Sequence, residues 1–178
     1  MATHPELSGQ EQRLSDIAAY AQDSEDGLYE FFGNGSPKLV ARYSGDGVAE
    51  ARGKALAELD LLASFAVLTS VEAAVRIDYT ERVKAKWKDG LSKALRELHR
   101  EKGLNARLED DLLRIWQDRS KVPSSLVSDL IGAFKYRHWI AHGRYWVPKL
   151  GRRYDFQGVY VLADKFINEM NSEPKGHH

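Results

Sequence analysis

Arg137 and His142, separated by four residues, are the side chains of this sequence best suited to chemistry. A guanidinium stays charged at any physiological pH and holds phosphate oxygens in a planar fork. An imidazole titrates near neutrality, so it can take up or release a proton during a reaction. Together the two groups can cut RNA without a metal. His142 would draw the proton from a ribose 2′-hydroxyl, the 2′-oxygen would attack the adjacent phosphorus, and Arg137 would neutralise the phosphorane. The product of that attack is a 2′,3′-cyclic phosphate. His138 lies four residues before His142 and shares its helix face, so it can orient or assist. The same residues admit two other readings. His138 and His142 could ligate a metal, although no H-E-x-x-H glutamate and no nearby third ligand accompany them. Alternatively the cluster is structural, with Arg137 bonded to carboxylates and the histidines closing the helix end. Five residues correspond to about 140° around a helix, so Arg137 and His142 do not stack on one face. The long arginine stem and release of the helix at Gly143 would have to bring both heads into one groove.

Helices must hold such a motif, and the apolar spacing predicts them. Residues 8–22 place Leu14, Ile17, Ala18 and Ala21 on one helical face. Residues 48–79 are apolar on most sides, which suits the centre of a bundle. Further helices are predicted over 80–102, 106–119, 124–142 and 157–170, with Gly103 marking one boundary and Pro123, Ser124 and Ser125 the start of the motif helix. Residues 23–47 hold five of the fourteen glycines together with Pro37 and a turn-like stretch at 33–36, so they read as a long loop with a short strand at 38–43. A phosphate cradle in this Gly-rich segment would lack the Lys-Ser/Thr of a P-loop, and a surface turn is the simpler reading. Residues 145–156 alternate aromatics around Pro148 and Gly151, as in an extended excursion or small hairpin. The expected fold is an all-α, single-domain helical bundle over residues 1–170. A disordered tail over 171–178 follows, with Gly176, His177 and His178 read as the remnant of a purification tag.

Composition narrows the functional classes. Basic and acidic side chains number 26 each, so no global field draws in nucleic acid and any attraction must be local. The absence of cysteine excludes disulfides and thiolate metal sites. Residues 1–12 lack the basic and apolar regions of a signal peptide. The most apolar stretch, residues 59–75, is interrupted by Asp60 and Glu72 and is too short for a membrane span. A cytoplasmic protein without membrane contact is the expectation.

The R-x4-H spacing, with the polar His138 straight after the arginine and an apolar run before it, resembles the signature of HEPN domains. These are small all-α proteins that include metal-independent ribonucleases of toxin and antiviral systems. The likeness covers residues 49–170 in layout and residues 137–145 in recognisable motif. It implies a homodimer with the cleft between two motif helices, which would also supply the second proton-transfer group that departure of the 5′-oxygen requires. It further implies a polar residue on an earlier helix facing the motif, and Glu72 is the candidate. By itself, Glu72 with Arg76 reads as an i,i+4 ion pair worth a few tenths of a kcal/mol if exposed. On a helix this apolar the pair is expected to turn inward and need partners.

Candidate RNA contacts are Arg76, Lys135, Arg144, Tyr145 and Trp146, with Lys149, Arg152, Arg153 and Tyr154 beyond them. Interleaved cations and rings suit a phosphate backbone and stacked unpaired bases, whereas the plainer alternative packs those rings on the core. The combined expectation is a metal-independent, cofactor-free endoribonuclease of a toxin–antitoxin or antiphage defence system. It would act as a homodimer on RNA and answer to an antitoxin or nucleotidyltransferase-like partner. The alternative is a non-catalytic HEPN-like domain that binds a protein or nucleotide, and behind it stands a helical scaffold unrelated to RNA.

Overall fold

The computed structural model describes residues 7–33, 37–43 and 47–176, and their regular structure is helical throughout. Helices α1 (Leu14–Gly33) and α2 (Pro37–Arg42) precede the long α3 (Gly47–Ala85). After α4 (Gly90–Lys102) come a 3-10 turn (Gly103–Asn105) and a π turn (Leu108–Leu112) that runs into α5 (Leu113–Arg119). The motif helix is α6 (Ser124–Ala141), and α7 (Phe156–Ser172) closes the bundle. Among the described residues no helix is long and apolar enough to cross a membrane.

The fold is organised by α3. Its 39 residues span about 58 Å at 1.5 Å per residue, and α1, α4, α6 and α7 all pack against it. Val67, Leu68, Val71, Val75 and Tyr79 recur at helical spacing and are buried. They meet Leu91 and Leu95 of α4, Trp116 of α5, Val127, Leu130 and Phe134 of α6, and Val159 and Phe166 of α7 in one core. The rings of Trp116 and Phe166 meet edge-on at 6.0 Å.

Three segments differ from the sequence reading, each for a local reason. Residues 23–33, expected in a loop, continue α1, whose buried Ile17, Ala21 and Phe32 keep the 3.6-residue period through Gly27. A glycine in a helix interior costs about 1 kcal/mol, which this packing against α3 offsets. The strand expected at 38–43 is instead α2, with Pro37 at a first-turn position where its missing N–H is not needed and Leu39 buried. The expected turn at Asn34, Gly35 and Ser36 lies outside the described residues, as do His177 and His178. The tail expected to be disordered from residue 171 is placed through Gly176. Helix α7 runs to Ser172, Glu173 is buried and accepts the Lys121 backbone N–H at 2.9 Å, and Lys175 lies over the Trp87 ring.

The boundary between the third and fourth helices also moves. A break was expected at Thr80, but the Thr80 hydroxyl donates to the Arg76 carbonyl at 2.9 Å and the helix continues to Ala85. Lys86 then adopts a left-handed φ of 55°, and Asp89 caps α4 by accepting the Ser92 N–H at 2.8 Å. This corner is clamped by Arg82, which is fully buried. Its guanidinium donates to Asp78 at 2.7 Å and to the Ser92 hydroxyl at 3.1 Å, and it lies between the rings of Trp87 and Trp116, 5.4 Å from each. Burial raises the Asp78 carboxyl even though Arg82 pulls it down. Removing one partner of a buried pair strands the other charge, so Arg82→Ala is expected to lose roughly 3–5 kcal/mol of unfolding free energy. Chemical denaturation of the two proteins checks this, and a change within experimental scatter would show that the clamp is energetically idle.

Candidate functional site

The last turns of α6 carry the motif and sort it onto two sides. Arg137 turns toward α3, where Glu72 accepts its Nη2 at 2.8 Å and its guanidinium lies 5.6 Å from the Phe65 ring centre. The other oxygen of Glu72 accepts Arg76 Nε, also at 2.8 Å. Glu72 is thus a fork between two arginines, its side chain 18 % exposed against 29 % for Arg137. Arg76 also reaches the Ala106 carbonyl at 3.4 Å, which ties the fork to the start of the π turn.

Lys135, His138 and His142 occupy the open side of α6 and are exposed. The rings of His138 and His142 are 4.3 Å apart, and Trp146 lies 5.9 Å from the first and 6.4 Å from the second. The helix ends here because Gly143 takes a φ of 75°. The Gly143 N–H returns to the Ile140 carbonyl, and the Arg144 N–H returns to that of Trp139. This left-handed turn leaves His142 as the residue that caps the helix and turns the chain back along α6. The returning segment, residues 145–155, forms neither helix nor strand. Trp139 Nε1 donates to the Trp146 carbonyl at 2.8 Å, and the Tyr136 and Tyr154 rings stack at 5.3 Å. Gly132 permits that crossing, since a Cβ there would sit 2.7 Å from the Tyr154 hydroxyl. Asp60 of α3 receives the chain at α7 by accepting the Phe156 N–H at 2.9 Å.

Between α6, the returning segment and the π turn lies a groove of about 340 Å³, lined by Glu109, Lys135, His138, Trp146 and Lys149 among others. Glu109 is the site residue that the sequence reading missed. Residues 106–119 read as one regular helix, but the Leu112 N–H bonds to the Arg107 carbonyl five residues back, and the resulting π turn alters the facing of Glu109. The charges of His138, Lys135 and Arg137 all act on its carboxyl. Burial nevertheless pushes Glu109 above the usual carboxylate range, with Asp110 adding to the rise, and His138, Lys135 and Arg137 offset only part of it. Among the described residues the Glu109 carboxylate closes no hydrogen bond or ion pair.

The remaining predicted contacts disperse. Arg144 is held by Glu58 through two bonds of 2.7 and 3.2 Å. Tyr145 projects from the surface, 83 % exposed, with its ring edge against Trp146. Arg76 borders a separate, mainly apolar cavity with Tyr79 and Leu104. The structure therefore brings Lys135, His138 and Trp146 into one groove with His142 beside it, sets Arg137 and Glu72 behind it, and leaves Arg144 and Arg76 outside. Among the described residues no three His, Cys, Asp or Glu side chains are grouped to hold a metal ion. No family model, curated protein or solved structure matches the chain.

A carboxyl whose folded pKa is raised favours the protonated fold. Its stability contribution is full below the ordinary value of 4.5 and is lost as the pH rises through the folded value. Glu109→Gln, which mimics the protonated form, is therefore expected to raise the melting temperature at neutral pH and to leave it nearly unchanged below pH 4.5. Melting curves of both proteins across that range would contradict this account of Glu109 if the variant were less stable at neutral pH.

Proposed function

We propose that this chain is a metal-independent endoribonuclease of HEPN type that cleaves unpaired RNA by internal 2′-hydroxyl attack. The observation that carries the reading is the clustering of the motif at the end of α6, where Lys135 and His138 line the groove at Glu109, the His142 ring lies 4.3 Å from that of His138, and Arg137 stands behind the groove against Glu72. In this reaction His142 accepts the 2′-hydroxyl proton while the 2′-oxygen bonds to phosphorus and the bond from phosphorus to the 5′-oxygen breaks. The products are a 2′,3′-cyclic phosphate and a 5′-hydroxyl. Arg137, held in place by Glu72, meets the charge that develops on phosphorus. His138 assists, and a proton must reach the leaving 5′-oxygen from a second group. In the proposed dimer that group is the motif of a second copy, joined through the surface around α6. The exposed Tyr145 and Val147 beside the motif suit such an association. Cytoplasmic toxin or antiphage action, restrained by an antitoxin or nucleotidyltransferase-like partner, is the biological setting proposed for this activity.

A second reading has one observation in its favour. The Arg137 charge is already met by Glu72, as in a structural fork, and the domain would then bind a protein or nucleotide without cutting. Cleavage of unstructured RNA by purified protein, with melting curves on the same samples, separates the two. His142→Ala is expected to lose on the order of 10²- to 10⁴-fold in rate, and Arg137→Ala a comparable amount, while EDTA leaves the wild type unaffected. Cleavage that persists in a folded double variant would sink the ribonuclease reading.

The dimer has its own check. Light scattering at micromolar concentration is expected to give twice the chain mass, and a strictly monomeric protein would remove the shared cleft.

A further inference from the structure

The groove at Glu109 does not end at Lys149. A second groove of about 360 Å³ continues along α6 past Gly132 to Arg152 and Tyr154, and Lys135, Lys149 and Leu150 line both. Two concavities, each at the small end of the roughly 300–1,000 Å³ range of ligand sites, are thus divided by a pair of ammonium groups. The far groove holds another cation over a ring, since the Arg152 guanidinium lies 5.0 Å from the Tyr154 ring centre. The near groove differs in kind, because it combines the indole of Trp146 with the unpaired carboxylate of Glu109. Cations at the divide and rings on either side match the alternation of phosphates and bases in a single strand.

We propose that the two grooves form one track for unpaired RNA, with a phosphate between Lys135 and Lys149 and a guanine in the near groove against Trp146 and Glu109. The choice of RNA as occupant rests on the ribonuclease reading, while the choice of base rests on Glu109. A carboxylate offers only acceptors. Guanine presents two adjacent donors, N1–H and the N2 amino group, which match its two oxygens. Adenine and cytosine each present one amino group beside a ring acceptor, and uracil flanks its single N–H with two carbonyl oxygens that repel a carboxylate. A partly buried carboxyl lacking donors is also held above its ordinary pKa, and a donor pair from the ligand would relieve that.

The test uses full-length protein and fluorescein-labelled uridine octamers carrying one central guanosine, inosine or adenosine, all with 2′-O-methyl sugars so that no strand can be cut. Inosine lacks only the N2 amino group. Fluorescence anisotropy is expected to show the guanosine strand binding about 10-fold tighter than the inosine strand, within the range of a good bidentate base contact. Glu109→Gln should level the two, because its amide keeps one acceptor and adds a donor. Lys149→Ala should weaken all strands alike and lower the slope of affinity against salt by about one. Wild-type protein that treats guanosine and inosine equally would overturn the proposal, as would a Glu109→Gln variant that keeps the preference. The same sequences with 2′-hydroxyls report cleavage separately. Guanosine preference without cleavage leaves the track standing and removes the nuclease reading, and cleavage without preference does the reverse.

Discussion

The forked ion pair of Glu72 with Arg76 and Arg137 joins the central helix to the motif helix, and the geometry of the candidate site depends on it. Hydrogen bonds to charged partners contribute roughly 1.5–3 kcal/mol each when shielded from water. The consequence for the site is directional as much as energetic. With Arg137 drawn toward α3, the rotation of α6 is set, and Lys135, His138 and His142 face outward. Arg76 extends the same constraint to Ala106, just before the π turn that carries Glu109.

Other polar residues of α3 act in the same way. Glu58 holds Arg144 just past the helix cap, Asp60 receives the first N–H of α7, and Asp78 holds the buried Arg82 that clamps α4. A helix whose surface is largely apolar can pack in several rotations, since hydrophobic burial is not directional. Carboxylates at fixed heights remove that freedom, because each is satisfied only by particular partners, Glu72 by two arginines. The interruptions that disqualify residues 59–75 as a membrane span are, in the folded chain, its points of attachment.

The parts legible in the sequence were those with repeated signals. The motif helix had Pro123 and Ser124 at its start, Gly143 at its end and apolar residues at helical spacing between, and the structure places it within a residue of the reading. The first helix was read short because Gly27 and Gly33 outweighed a sparse apolar period, and only contact with α3 shows that the period wins. Glu72 was legible as a charge on an apolar helix that needed a partner, although Arg76 and Arg137 as joint partners required the tertiary arrangement. Glu109 was not legible. It stands beside Asp110 and Asp111 in what reads as the first turn of a regular helix over 106–119, and only a π turn, which has no sequence signature here, brings it to the groove.

The most direct test of the fork is a double-mutant cycle on Glu72→Gln and Arg137→Gln, with unfolding free energies measured by denaturant titration. A joint that orients α6 should give a coupling energy of at least about 1 kcal/mol between the two positions. Additivity to within roughly 0.5 kcal/mol would contradict it, because Glu72 and Arg137 would then be neighbours that do not hold each other.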